Sequence, residues 1–343
     1  MSDILKNRDK RSKEFEANLE LDKIISKLSP ILSYAEKREV EKFDSPKMPT
    51  VGILGCPRSG TTLISQILAE SQGFYYPNNL LNRFSYAPYI GCLIDKMLTD
   101  ERLMLGRESN FDSVEVKFDS DIGKTRSYSG INEFFHFWRN YLPNHDPGHL
   151  TLEELNKVDV KGLQRSLASM ESISNKPFMS KAMMLQYNVE FFNNNIPSLF
   201  FLYIKRDPMY VMQSIVTSRR KFYPGDETIW WSVKPKEYDI LKSLPFLQQI
   251  AGQVFFTELA IESQLKNVPE DRKLIIDYED LCSHPEKFLQ QLEVKLNQRW
   301  SGISLKNKNF KSYDVRNTKK LSDLEISKLA GYYKMFAEQE EIR

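Results

Sequence analysis

One stretch constrains the chain more than any other: Thr50-Val-Gly-Ile-Leu54, then Gly55-Cys-Pro-Arg-Ser-Gly60, then Thr61-Thr-Leu-Ile-Ser-Gln-Ile-Leu68. The first five residues are a short run with β-branched members and read as a buried strand. Leu63, Ile64, Ile67 and Leu68 recur at helical spacing. The glycines between make a tight connection. A strand that turns directly into a helix leaves the first-turn N–H groups without intrahelical partners and brings the positive end of the helix dipole to the same place. Such a turn is a ready anion cradle, and a fold that contains it is of the α/β type.

The spacing of Gly55 and Gly60 is that of a Walker A loop, yet Thr61 stands where that loop has its lysine, and the cation is Arg58, inside the turn. A nucleoside-triphosphate enzyme needs the lysine on the transferred phosphate and a metal beside it. A second cationic element follows the almost wholly apolar run Ser198-Leu-Phe-Phe-Leu-Tyr-Ile204, which suits a central strand buried on both faces. It is Lys205-Arg-Asp-Pro-Met-Tyr-Val-Met-Gln-Ser214, which puts Arg206 at a strand's carboxyl end and Ser214 about two turns into the next helix. The spacing predicts that Arg206 and Ser214 converge on one anion, a planar fork joined by a hydroxyl. Two anion sites on separate strands of one sheet ask for a ligand charged at both ends.

Pro57-Arg58-Ser59-Gly60-Thr61-Thr62, with Arg206-Asp-Pro and Ser214, resembles the two nucleotide-binding elements of the sulfotransferases that use 3′-phosphoadenosine-5′-phosphosulfate (PAPS). Leu274-Ile-Ile-Asp-Tyr-Glu-Asp-Leu281 is similar to the late strand and turn of that family. The resemblance spans residues 50 to 290, with gaps, and is closer to the bacterial and carbohydrate branch. It implies a P-loop-like parallel sheet flanked by helices, PAPS as donor, its desulfated form PAP as product, and no required metal. It implies that Arg58, Ser59, Gly60, Thr61 and Thr62 hold the 5′ side, that Arg206 and Ser214 hold the 3′-phosphate, and that Tyr278 lies near the adenine. The family's C-terminal Arg-Lys-Gly clamp is missing; Arg316, Lys319 and Lys320 could stand in for it or form a solvated patch.

The reaction so implied moves a sulfuryl group to an acceptor hydroxyl, with a saccharide or glycoconjugate as the expected acceptor. Arg58 and Thr62 would stabilise the charge that develops on the donor. The glutamate that several carbohydrate sulfotransferases place after the loop has no counterpart, because no carboxylate stands between Glu70 and Asp95. Candidate bases are Glu133 and His136, expected on one face of an aromatic helix over Asn132 to Tyr141. Lys181, at the end of a strand over Phe178 to Lys181, resembles a lysine near the transferred group in heparan-type enzymes. The alternatives are a P-loop kinase or NTPase, which Thr61 and the cationic strand end disfavour, and a nucleotide-binding relative without a working base.

The remaining features bound these readings. The 343 residues carry a formal charge of only +2, so no bulk attraction to nucleic acid is implied. Three widely spaced cysteines fit neither a disulfide framework nor a zinc pattern, and Pro147-Gly148 prevents His145 and His149 from sharing a helix. No run is long enough to span a membrane, and the polar N-terminus is no signal peptide, so a cytoplasmic protein is expected. Residues 1–46 read as a helical arm broken near Pro30, packed on the rest of the chain or on a second copy, and 47–343 as one domain. Gly73 to Tyr89, aromatic and amide-rich, is either a pocket wall for a hydroxyl-rich ligand or a loop tucked on the core. Residues 95–130 read as a long loop that could act as a lid.

Overall fold

The computed structural model describes residues 10–13, 18–100, 102–103, 120–121, 124–125, 129–143, 148–306 and 310–341. Its centre is a four-stranded parallel sheet: β1 (Thr50–Leu54), β2 (Phe178–Lys181), β3 (Leu199–Lys205) and β4 (Lys273–Asp277), in spatial order β2-β1-β3-β4. β1 and β2 are buried along their whole length, and β3 everywhere but at Lys205, which explains why their sequences do not alternate. β4 is one of the two edge strands and exposes Ile275.

Side-chain alternation sorts the core into two layers. Leu54, Phe178, Phe201 and Tyr203 pack on one face with Phe134, Phe137, Trp138, Leu163 and Leu167. Val51, Ile53, Phe200, Leu202 and Ile204 pack on the other with Ile64, Ile67, Leu281, Phe288 and Leu292. The helices that supply these residues are α2 (Thr61–Glu70), α4 (Phe135–Arg139), α5 (Val160–Ser174), α8 (Tyr278–Ser283) and α9 (Pro285–Asn297). A third cluster joins α6 (Pro208–Phe222), α7 (Phe246–Leu265) and α10 (Asp323–Glu341) through Val211, Ile215, Val254, Leu329 and Phe336.

The N-terminal arm is one helix, α1 (Leu19–Val40), and it runs through Pro30 without a break. The expected interruption fails because Pro30 and Ser26 are both exposed, so water can satisfy the Ser26 carbonyl that proline leaves without a donor. α1 packs on α5 and on a helix the sequence did not announce, α3 (Pro88–Thr99). The carboxylate of Glu36, 6% exposed, accepts hydrogen bonds from the N–H groups of Tyr89 and Ile90 at 2.7 and 3.0 Å, and thus caps α3 from another helix. Burial pushes the Glu36 carboxyl up to about 7. Between the arm and residues 80–87 lies an apolar cavity of about 210 Å³, lined by Ile25, Leu28, Leu32, Phe84 and Tyr86 among others. α5 is preceded by a separate short helix, Leu152–Leu155. Of the expected loop over 95–130, residues 95–99 belong to α3, Ser120–Asp121 pairs antiparallel with Lys124–Thr125, and most of the rest, with any lid, lies outside the described residues, as does His145.

Candidate active site

The carboxyl ends of β1, β2 and β3 converge on the turn between β1 and α2. Gly55 starts it: a Cβ there would stand 2.6 Å from Ser59 Oγ and 3.1 Å from Ile204 Cγ2. Arg58 takes the left-handed conformation at φ +73°, unusual for a residue other than glycine, and Gly60 has φ +108°. A Cβ on Gly60 would also meet the Tyr278 ring at 2.6 Å, so the turn is pressed onto both β3 and the start of α8. The coil is closed by a hydrogen bond from Ser59 N–H to the Cys56 carbonyl at 3.1 Å, and α2 begins with Ile64 N–H to the Gly60 carbonyl at 3.1 Å. Cys56 is 1% exposed, its thiol 3.6 Å from the Val254 carbonyl. Ser59 is also 1% exposed, and its Oγ finds no partner among the described residues. A buried hydroxyl without a partner is costly unless a ligand completes it.

Lys181 ends β2 opposite Ile53 of β1. Its residue surface is 4% exposed, and its Nζ donates to Thr62 Oγ1 at 2.8 Å and to Glu133 Oε1 at 3.3 Å. Thus three candidates, Thr62, Lys181 and Glu133, form one cluster drawn from α2, β2 and the segment before α4. Glu133 is not on a helix, however. α4 starts at Phe135 because Phe134 adopts φ +53° and Asn132 Oδ1 accepts its N–H at 3.0 Å, which turns the chain before the helix begins. Glu133 and His136 therefore do not share a helix face, which corrects the sequence reading. Glu133 is aimed at Lys181, whereas the His136 ring stacks on Tyr86, centroids 6.3 Å apart, beside the arm.

The second anion element is arranged differently from the expectation. Ser214 Oγ takes a hydrogen bond from Arg58 Nε at 3.0 Å, so the arginine of the first turn reaches across to the serine of the second motif. The Arg206 guanidinium is turned to protein partners. It donates to the Arg58 carbonyl at 2.8 Å, to the Arg316 carbonyl at 2.7 Å and to Asn317 Oδ1 at 3.1 and 2.9 Å, and lies 4.4 Å over the Tyr278 ring. Burial lowers the pKa of Arg206 from its ordinary value. Tyr278 is packed under Gly60 and Arg206, and its hydroxyl accepts the Arg316 N–H at 3.3 Å. Arg58, Lys181, Arg206 and the N-terminus of α2 together make this end of the sheet positive.

Around Glu133 the wall is built from amides. Asn79 Nδ2 donates to Thr125 at 3.2 Å and its Oδ1 accepts Asn132 Nδ2 at 2.8 Å. Asn78 and Tyr75 both bond the buried carboxylate of Asp95, at 2.8 and 3.0 Å. Burial raises the Asp95 pKa. The polar groups of the 73–89 segment are thus largely spent on the protein itself, the core-tucked alternative. Asn132, Asn79 and Asn317 escaped sequence reasoning, because lone asparagines in irregular segments carry no motif. Among the described residues, no group of three or more His, Cys, Asp and Glu could hold a metal, and no helix is long and apolar enough to cross a membrane.

A profile of the sulfotransferase family matches residues 49–302, and the chain belongs to that family. Sulfotransferase STF1 from Mycobacterium tuberculosis H37Rv is similar in fold over 88% of this chain and 81% of its own, at 9% identity and a TM-score of 0.50. STF9 from Mycobacterium avium aligns over 87% of this chain and 70% of its own at 14% identity and a TM-score of 0.48. A sulfotransferase from Alicyclobacillus acidocaldarius aligns over 83% of this chain and 91% of its own at 11% identity and a TM-score of 0.40. Among curated proteins none matches the chain.

Proposed function

We propose that this sulfotransferase takes its sulfuryl group from PAPS and delivers it to a hydroxyl of a saccharide or glycoconjugate. The observation that carries the reading is the Lys181 ammonium, buried at a strand end and held between Thr62 Oγ1 and Glu133 Oε1. The surroundings fit a doubly anionic donor. The Ser59 hydroxyl lacks a partner, the first-turn N–H groups of Thr61 and Thr62 face the same turn, and Arg58 bridges that turn to Ser214. When bound, PAPS supplies a sulfuryl group whose S–O bond to the phosphate breaks as a new S–O bond to the acceptor forms.

The chain's own groups then divide the work. Arg58 and the N-terminus of α2 stabilise negative charge on the 5′-phosphate side, and Lys181 with Thr62 does so nearer the reacting atoms. Glu133, exposed on its outer side and ion-paired to Lys181, is our candidate to accept the acceptor's proton. Exposed His136 and Tyr86, stacked beside the arm, combine a hydrogen-bonding imidazole with an aromatic face, a pairing that suits a sugar. The test is transfer of labelled sulfate from PAPS to a panel of glycans and simple alcohols, with and without EDTA. Labelled product formed equally in both conditions is expected. Activity that instead demands ATP and magnesium, or no labelled product on any hydroxyl acceptor, overturns the reading.

A further inference from the structure

The segment from 310 to 320 has no helix or strand, and its residues are exposed except for Phe310, Tyr313 and Asn317, which are half-buried. It nevertheless lies across the carboxyl ends of β3 and β4, fastened at a few points. Tyr313 N–H donates to the Cys282 carbonyl at 2.8 Å, Arg316 N–H to the Tyr278 hydroxyl at 3.3 Å, and Lys320 N–H to Gln213 Oε1 at 2.9 Å, next to Ser214. The densest fastening is a side chain. Asn317 Oδ1 accepts both Nε and Nη2 of Arg206, at 3.1 and 2.9 Å, and Asn317 Nδ2 donates to Glu279 Oε1 at 2.6 Å.

The chemistry of the pair explains why an asparagine stands there. A guanidinium only donates and a carboxylate only accepts, so the residue between them must do both through one short side chain. From Asn317 the network runs on: Arg206 Nη1 donates to the Arg58 carbonyl at 2.8 Å, and Arg58 Nε to Ser214 Oγ at 3.0 Å. The left-handed conformation of Arg58, which shapes the anion cradle, is thereby held from the strap.

We infer that Asn317 is a positioning residue for donor binding: by bridging Arg206 and Glu279 it holds the 310–320 strap on the nucleotide side of the sheet and fixes the backbone of the cradle at Arg58. This rests on the sulfuryl-transfer reading above. Asn317 touches no reacting atom and acts through Arg206 and the Arg58 backbone, so its loss falls chiefly on donor affinity.

The experiment measures PAP binding by calorimetry and steady-state kinetics with PAPS for the full chain and for Asn317→Ala, Asn317→Asp, Glu279→Gln and the double variant Asn317→Asp with Glu279→Gln. Asn317→Ala and Asn317→Asp are expected to raise the PAP Kd and the PAPS KM about tenfold, the order expected for losing charge-assisted hydrogen bonds, with kcat reduced by less than the donor terms and the acceptor KM within about twofold. In the double variant the new amide at 279 donates to the new carboxylate at 317, which still accepts from Arg206; donor affinity returns to within about threefold of the parent. A brace of purely structural use would lower the unfolding midpoint of the unliganded protein and kcat together, without a donor-specific effect; that result, or the absence of rescue, overturns the inference. A parent protein that binds PAP while all variants bind it equally sinks the inference alone. A parent that neither binds PAP nor transfers sulfate sinks the sulfuryl-transfer reading with it.

Discussion

The proposed donor side and the proposed acceptor side of this site are built by different means. The donor side is two continuous stretches, 55–62 and 205–214, whose backbones are shaped by a positive-φ turn and by strand ends. Its parts lock together: Gly60 against Tyr278, Arg206 over the same ring, Arg58 on Ser214. The proposed acceptor side is assembled from the 75–79 loop, Thr125, Asn132 and Glu133, separate segments joined by side-chain amides and by two backbone bonds, Asn132 N–H to the Pro77 carbonyl at 2.8 Å and Asn79 N–H to the Gly130 carbonyl at 2.9 Å. A site made by backbone geometry tolerates little change in its residues and is spelled consecutively. One made by side chains across distant segments can be respecified piece by piece, which suits the half of an enzyme that chooses among acceptors.

The largest test of this contrast is at the meeting point of the two sides. Lys181→Ala should lower kcat by roughly 10²–10⁴-fold, the range for losing a preorganised cation at the reacting group, with PAP affinity within a few-fold; unchanged turnover would place the chemistry elsewhere. Glu133→Gln should cost about 10²-fold in kcat with donor KM unaffected, whereas His136→Asn should change either by less than about threefold. The reverse ranking would move the base to the arm side of the pocket. Gly60→Ala sharpens the donor half: strain at φ +108° and the Tyr278 contact should remove about 2–3 kcal/mol of stability by urea unfolding, with a matching loss of PAP binding. Asn79→Ala should reduce kcat/KM for the acceptor by several-fold, about the worth of one or two hydrogen bonds, and leave PAP binding alone.

The arm, away from both halves, is tested through stability and not through turnover. Glu36 has an unfolded pKa near 4.5 and is raised to about 7 by burial in the fold. Between those values the native state holds the proton more tightly, so stability attributable to this group is full below about 4.5 and declines as pH rises through 7. Glu36→Gln should flatten urea-unfolding stability across that window by about 1–3 kcal/mol. Glu258 is also raised to about 7 by burial and keeps its own slope in the variant. A stability profile identical to the parent's would show that Glu36 is not buried against α3.

Much of the donor half was legible because strand, turn and helix are local events. The apolar run 198–204 announced a strand buried on both faces, and the strands at 50–54, 178–181 and 273–277 were placed nearly to the residue. What local pattern could not give was direction. Arg206 and Ser214 have the right spacing, yet which of Arg58 and Arg206 reaches the serine depends on the curl of the first turn, a tertiary fact. The helix expected from Asn132 begins three residues late because Asn132 caps the N–H of Phe134 and the chain turns left-handed there. α3 was hidden behind Pro88, a residue that reads as a breaker in a loop but serves at the first turn of a helix whose cap, Glu36, lies 52 residues upstream. Pro30 misled in the opposite sense, since an exposed proline costs a helix less than a buried one.

The burial of Cys56 in the first turn gives the molecule a built-in clock. Its thiol is shut away beside the Val254 carbonyl, and burial holds its pKa well above the ordinary range. A thiol in that state is inert to alkylating reagents until the surrounding backbone opens and a thiolate can form. With enough reagent that labelling outpaces reclosing, the rate at which Cys56 is labelled in the native protein is the rate at which the cradle comes apart, and its slowing by added nucleotide would time, opening by opening, how firmly a donor closes the turn around itself.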